Sequence, residues 1–184
     1  MKYSFYASGF RETRGKHTGT KANAHKVRDE HQETAIVRYV EWNDNPKGYA
    51  LDLASRWTEG DAVTVEGYSW GCGNWIHKFL WTLFKANPAI RIHHLTLVDP
   101  VVHTRWWSLR WLAVTDWGKI TLPDNIDDNV VVFFQRVDEP NSSKLAFKGN
   151  VTAKRFELNV PHTKIDNAKA VTEMTLKVAD RWLG

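Results

Sequence analysis

Ser69 stands in the pentapeptide Gly67-Tyr68-Ser69-Trp70-Gly71, between the strand-like run Asp61-Ala62-Val63-Thr64-Val65-Glu66 and an apolar-periodic stretch from Trp70 to Ala86. A serine between two glycines at a strand-to-helix junction is the pattern of a nucleophile elbow. The glycines leave room for a turn too tight for side chains, so the serine can be held in a strained conformation with its Oγ lifted clear. A hydroxyl is a poor nucleophile at pH 7 and needs a base within hydrogen-bond reach, itself oriented by a carboxylate. His162, directly after the strand-like Arg155 to Val160 and before the closing helix, is the natural base. Asp99, which ends the strand following the elbow helix, is the favoured orienting acid. Asp138, after the next apolar strand, is the alternative, since Asp99-Pro100 also fits a plain strand-ending turn.

These groups share a location only through the elements that carry them. Alternating or β-branched and aromatic runs predict strands over residues 2–7, 34–42, 61–66, 91–98, 129–137 and 155–160. The run Val130-Val131-Val132-Phe133-Phe134 is apolar throughout, as expected of a strand buried on both faces. Helical spacing marks a polar segment over 20–32, a second helix from Pro46 to Trp57, the elbow helix over 70–86, and a closing helix with Asp166 as its N-cap. Residues 139–149 read as loop and 101–122 as an irregular, tryptophan-rich segment.

Strands alternating with helices imply parallel pairing and right-handed crossovers. The expected fold is therefore α/β: a single-domain, three-layer sandwich with a mostly parallel central sheet and helices on both faces. Functional groups in such sheets collect beyond the carboxyl ends of the strands. Ser8-Gly9-Phe10, Ser69, Asp99, Asp138 and His162 all fall there.

Composition narrows the class. The chain has 184 residues, 42% hydrophobic and 25% charged, which is the make-up of a soluble globular protein. No window approaches the ~20 continuous apolar residues of a membrane span, and the first residues lack the apolar core of a secretory signal. Cys72 is the one cysteine, so no intrachain disulfide can form, and the expected location is cytoplasmic. A net charge of +4, scattered along the chain, does not predict a nucleic-acid partner.

With these residues in place, the chain resembles the α/β-hydrolase superfamily, in a compact lipase/esterase-like form. The resemblance covers almost the whole chain, apart from extra amino-terminal strands of larger members. It rests on Gly67-Tyr68-Ser69-Trp70-Gly71, on Leu97-Val98-Asp99-Pro100, and on Pro161-His162-Thr163-Lys164-Ile165-Asp166. The second is similar to lipases whose acid follows the strand after the elbow helix. The third is similar to the histidine turn of small bacterial and phage-type hydrolases. The order Ser, Asp, His is that of the superfamily.

The resemblance implies a serine hydrolase cleaving carboxylic esters through an acyl-enzyme, without cofactor or metal. Backbone N–H groups would hold the oxyanion: that of Trp70, and that of Phe10 with Arg11 as alternate. Gly9-Phe10 resembles the His-Gly-Phe turn of many lipases, with Ser8 in place of the histidine. A thioesterase or amidase would use the same apparatus, and a non-catalytic hydrolase-like binding module would keep the fold without turnover.

The remaining signals are weighed on residue chemistry. Trp106, Trp107, Trp111 and Trp117, interleaved with Arg105 and Arg110, follow Asp99 and read either as a short packing helix or as a cap. As a cap, Trp106, Trp107 and Trp111 would bind an acyl or aromatic group or rest on a lipid interface. Cys72, between Gly71 and Gly73, reads as a small packing residue. His93 and His94 are adjacent on a strand and point to opposite faces, and no histidine shows metal-ligand spacing such as His-Glu-x-x-His. Glu66 is unexpected in a central strand: it is solvated at the strand end or needs a partner that the sequence does not identify.

Overall fold

The runs of alternating or continuous apolar residues become strands, and the helices lie between them. In the computed structural model, which describes residues 1–10, 19–101, 120–135, 145–147 and 152–184, the order is as follows. Strand β1 (Lys2–Ala7) is followed by α1 (Gly19–His31), β2 (Ala35–Val40), α2 (Pro46–Arg56) and β3 (Ala62–Tyr68). A π-helical turn (Gly71–Ile76) then runs into α3 (His77–Ala86), followed by β4 (His94–Val98), β5 (Ile120–Leu122), β6 (Val130–Gln135) and β7 (Leu145–Phe147). The last elements are β8 (Ala153–Leu158), a 3-10 turn (His162–Asn167) and α4 (Lys169–Leu183). Asp138, Arg11, His17, His103, Arg105, Trp106, Trp107, Arg110, Trp111 and Trp117 lie outside the described residues.

Six strands form one sheet in the order β2-β1-β3-β4-β6-β8, and every pairing in it is parallel. A separate parallel pair, β5-β7, lies beside α3, where Trp81 Nε1 donates to the Thr121 carbonyl at 2.8 Å. Side chains alternate between the two faces of the main sheet, as strand geometry requires. Tyr3, Phe5, Val63, Val65, Leu95, Leu97, Val130 and Val132 pack with α2 and α3, around the fully buried Trp75 and Phe79. The intervening residues face α1 and α4: Tyr6 packs with Val27 and Leu183, and Tyr68, Val98, Val131 and Phe133 pack with Ile165 and Val171. Helices therefore cover both faces, and the fold is the expected three-layer α/β sandwich. No described helix is long and apolar enough to cross a membrane.

The direction in which successive strands are added reverses between β1 and β3. From β1 the chain moves outward to β2, and from β3 it moves the other way to β4. The crevice between the carboxyl ends of those two strands is the switch point where open α/β sheets bind ligands. The loop Ser8 to Phe10 and the elbow at Ser69 flank it.

Local departures from expectation have local causes. Residues 71–76 form a wider π turn before the α-helix, and Trp70 precedes it half-exposed rather than lying on the buried stripe. Asp166 does not cap the closing helix. The 3-10 turn extends through Asn167, α4 starts at Lys169, and its N-cap is Ala168, whose methyl group cannot accept a capping hydrogen bond. The strand expected from Arg91 is regular only from His94, with Ile92 joined to Ile126 by an isolated bridge. The segment expected as loop over 139–149 contains β7.

Glu66 is buried, not solvated, and its partner is on α4: Thr175 Oγ1 donates to Oε2 at 2.6 Å. It belongs to a polar row on the α1/α4 face that includes Ser4 and Thr64, whose hydroxyls bond at 2.8 Å. Burial, and secondarily the charge of Asp166, push the Glu66 pKa from 4.5 up to about 7 despite the Thr175 hydrogen bond. Because the folded-state value lies above the unfolded one, this group's contribution to stability is complete below about pH 4.5. It is lost as pH rises through about 7. Glu66→Gln keeps an acceptor for Thr175 but never carries the charge. Urea denaturation should therefore find the variant more stable than wild type at pH 8, by up to about 3 kcal/mol, with the gain shrinking toward zero near pH 5. A difference that does not change with pH would refute the assignment.

Candidate active site

Parallel register brings the candidate groups to one edge. Tyr68 on β3 pairs with Val98 on β4, so the next residues, Ser69 and Asp99, leave the sheet side by side. Both have positive φ, 52° and 41°, a region that side-chain-bearing residues occupy rarely. Backbone hydrogen bonds hold them there. Ser69 N–H donates to Val98 at 2.9 Å and Asp99 N–H donates to Phe133 at 2.7 Å. The Ser69 carbonyl accepts from both Cys72 and Val101 at 3.1 Å.

The second elbow glycine has a clear steric reason. A Cβ on Gly71 would lie 2.5 Å from the Ser8 carbonyl oxygen and 2.6 Å from that of Ala7, backbone atoms that cannot swing aside. The first is less demanding, because a Cβ on Gly67 would meet the terminal Cδ1 of Ile76 at 2.3 Å. Gly9 also lies against the elbow, where an added Cβ would come within 3.1 Å of Ser69 Cβ.

His162 reaches the same point from the far side of the sheet, on the 3-10 turn after β8. Ser69 Oγ is 2.8 Å from His162 Nε2, and His162 Nδ1 is 2.6 Å from Asp99 Oδ2. Asp99 is fully buried, Ser69 nearly so, and the His162 side chain is 20% exposed. A carboxylate only accepts, so the proton between His162 and Asp99 belongs on Nδ1. Nε2 is then an acceptor aimed at the serine hydroxyl. Of the two aspartates left open by the sequence, Asp99 is the one whose contact with His162 lies among the described residues.

Tyr68 adds a contact that the motif alone does not suggest. Its hydroxyl donates to the His162 carbonyl at 2.6 Å, and its ring lies 5.3 Å from the imidazole at 33°. The residue just before Ser69 thus holds the backbone of His162. Trp42 was also missed in the sequence. It follows β2, next to β1 in the sheet, and its ring meets Phe10 at 5.5 Å and Trp70 at 5.3 Å, both edge-on. Phe10 stacks on Trp70 at 4.5 Å, so three aromatic rings from three strand ends form a cluster beside the elbow. In the sequence Trp42 reads as the last residue of the 34–42 strand; in the structure β2 ends at Val40, which leaves Trp42 just past its carboxyl end.

Other sequence candidates separate from this centre. Cys72 is fully buried, with Sγ 3.9 Å from the Val98 carbonyl, and burial pushes its thiol pKa well up, which suits packing rather than nucleophilic attack. His93 accepts from Val63 N–H at 3.2 Å through Nδ1, while His94 Nε2 lies 3.1 Å from Thr96 Oγ1. The two rings serve different partners.

No family model and no curated protein sequence matches this chain. Among solved structures it is similar to a proposed hydrolase of the alpha/beta superfamily from Xanthomonas campestris pv. campestris. That match has 13% identity and a TM-score of 0.47, over 97% of this chain and 98% of the other. It is also similar to a cutinase-like protein from Cryptococcus sp., at 14% identity and TM-score 0.44, over 100% of this chain and 95% of the other.

If Tyr68 holds the histidine turn, Tyr68→Phe should leave the fold intact and loosen His162. In any assay of Ser69 reactivity, the rate of serine modification should fall roughly 2- to 13-fold, the value of one neutral hydrogen bond. The thermal midpoint should change little. An unchanged rate would assign Tyr68 to packing alone.

Proposed function

We propose that this protein is a serine hydrolase that cleaves carboxylic esters through an acyl-enzyme intermediate. The observation that carries the reading is the continuous hydrogen-bonded chain from Ser69 Oγ to His162 to the buried Asp99, at 2.8 and 2.6 Å. In this reading Ser69 Oγ attacks the ester carbonyl carbon while its proton passes to His162 Nε2. Asp99 keeps the imidazole in the tautomer able to accept that proton and stabilises the imidazolium that forms. The tetrahedral oxyanion is held by the backbone N–H groups of Trp70, directly after the nucleophile, and of Phe10, in the loop packed against it. As the intermediate collapses, His162 returns the proton to the departing alkoxide and the alcohol leaves. Water, deprotonated by His162, then attacks the acyl-serine carbonyl, and the carboxylic acid is released with Ser69 restored.

The cluster of Phe10, Trp42 and Trp70 supports an apolar acyl or aryl group on the substrate. Phe10 remains 40% exposed although it is a large apolar ring, and the three rings pack on one another beside the elbow that carries Ser69, which would offer an apolar group on the substrate a surface to pack against. The tryptophans of residues 101–122 extend this reading as a cap. Thioesters and amides lie within reach of the same groups, and a panel of acyl esters, thioesters and amides ranks them.

The decisive measurement is labelling by a fluorophosphonate probe, which reacts with activated serines. Wild-type protein should label and Ser69→Ala should not; folded wild type that fails to label would exclude an activated serine and leave a hydrolase-like binding module. In steady-state ester hydrolysis, Asp99→Asn should lose about 10⁴-fold in kcat, as expected for a residue that sets the histidine tautomer. Asp138→Asn should stay near wild type, and the reverse pattern would reassign the acid.

Trp42→Ala should raise KM several-fold for esters with phenyl or long acyl groups and leave acetyl esters nearly unchanged. An equal effect on both would remove Trp42 from the acyl wall.

A further inference from the structure

At the opposite edge of the sheet, about 17 Å along β4 from Asp99 by strand rise, lies a second concave site. It is a cavity of about 140 Å³ between α4 and the amino-terminal ends of β4, β6 and β8. Its apolar wall includes Val131, Met174, Val178 and Trp182, and the buried His94 also lines it. Three cations line it from two directions: Lys177 and Arg181 from α4, and Lys154 from β8. No acidic side chain lines it among the described residues.

This arrangement is electrostatically unfavourable in the absence of a partner. Lys177 and Arg181 are spaced i, i+4 on one helix face, where like charges repel. A cation in the last turn of α4 suits the helix dipole, which accounts for Arg181 but not for Lys154 approaching from the sheet. The nearby carboxylates of α4 are turned elsewhere, Glu173 to Lys169 at 3.5 Å and Asp180 to His31 at 3.6 Å. Arg181 instead lies over the Trp182 ring at 4.9 Å. The positive field also registers on His94. Burial first, then Arg181 and Lys154, push its pKa down to about 4, so its ring is neutral at pH 7.

The geometry points to a binding site for a small amphipathic anion, with a carboxylate or phosphate head among Lys154, Lys177 and Arg181 and an aryl or short alkyl body against Met174, Val178 and Trp182. The head replaces the missing counter-charge, and the body fills the apolar wall. An apolar cavity of ~150 Å³ admits a benzene ring, so the volume suits a single ring or a short chain rather than a lipid tail. The site is separate from the Ser69 centre and does not depend on the function proposed there.

Isothermal titration of the full chain at low ionic strength tests this with benzoate, phenyl phosphate, inorganic phosphate and the neutral benzamide. Benzoate or phenyl phosphate should bind saturably at one site, at least tenfold more tightly than benzamide or inorganic phosphate, and binding should weaken as salt screens the cations. The double variant Lys177→Gln/Arg181→Gln changes only exposed side chains. It should lose at least tenfold in affinity while its circular dichroism stays that of wild type and its thermal midpoint does not fall. Absence of saturable binding, equal binding of benzamide, or full binding by the double variant would overturn the proposal. Inorganic phosphate binding as tightly as phenyl phosphate would also overturn it, since the apolar wall would then have no role. So would capture by phosphatidylserine vesicles that the double variant loses, when benzoate does not bind, because the cations would then serve a membrane surface.

Discussion

Two residues with positive φ, Ser69 at 52° and Asp99 at 41°, stand at the ends of adjacent strands, and the rest of the site is arranged around holding them there. Each such conformation costs a side-chain-bearing residue on the order of 1–3 kcal/mol, so something must over-determine it. The parallel ladder does. Each strained residue donates its N–H to the next strand, Ser69 to Val98 and Asp99 to Phe133, so β3, β4 and β6 are locked together one residue beyond their regular pairing. The Ser69 carbonyl accepts two further bonds, from the helix that follows and from the chain leaving β4. Gly71 completes the clamp by letting that helix approach the carbonyls of Ala7 and Ser8. Straining the turn aims the hydroxyl, and the sheet supplies the energy that keeps it strained.

What could be read in the sequence follows from how local each feature is. Strand periodicities, the glycines around Ser69 and the Ser-Asp-His order are local or ordinal, and the sheet with helices on both faces follows from them. Asp99 and Asp138 both follow strand-like runs in the sequence, and periodicity does not rank them; the 2.6 Å contact from Asp99 to His162 spans 63 residues. Glu66 and Thr175 are 109 residues apart, and nothing in either neighbourhood names the other. Trp42 needed the strand order, since only the adjacency of β2 and β1 brings its ring to Phe10. The closing helix was misplaced at its start because Asp166 is a good capping residue in isolation. Here it is buried in a 3-10 turn that tertiary contacts impose before α4 begins.

The two faces of the sheet divide the work. The α2/α3 face is an apolar core built on Trp75, Phe79 and the inward residues of β1, β2, β3, β4 and β6. The α1/α4 face carries a polar row, Ser4, Thr64, Glu66 and Thr96, each nearly or fully buried. Buried polar groups demand partners, and a partner fixes geometry more narrowly than apolar contact does. The element held against this face is α4, through Thr175 and Glu66, and α4 directly follows the turn that bears His162. Placement of the base is thereby tied to directional bonds rather than to packing alone.

Strand β3 has the largest share in that arrangement. Its side chains alternate, so Glu66 and Tyr68 face α4 while Gly67 lies beneath the elbow helix. Glu66 fixes α4 through Thr175, and Tyr68 fixes the His162 carbonyl. The following residue is Ser69 itself. One strand end therefore positions the proposed nucleophile directly and the proposed base through two contacts from the same face. A small shift of β3 would carry serine and histidine together, preserving the 2.8 Å between them better than if each were held by an unrelated element. Asp99 comes from the next strand in register, so all three groups refer to the β3–β4 ladder. That common reference explains how the three-residue hydrogen-bonded relay keeps its geometry although its members come from three separate parts of the chain.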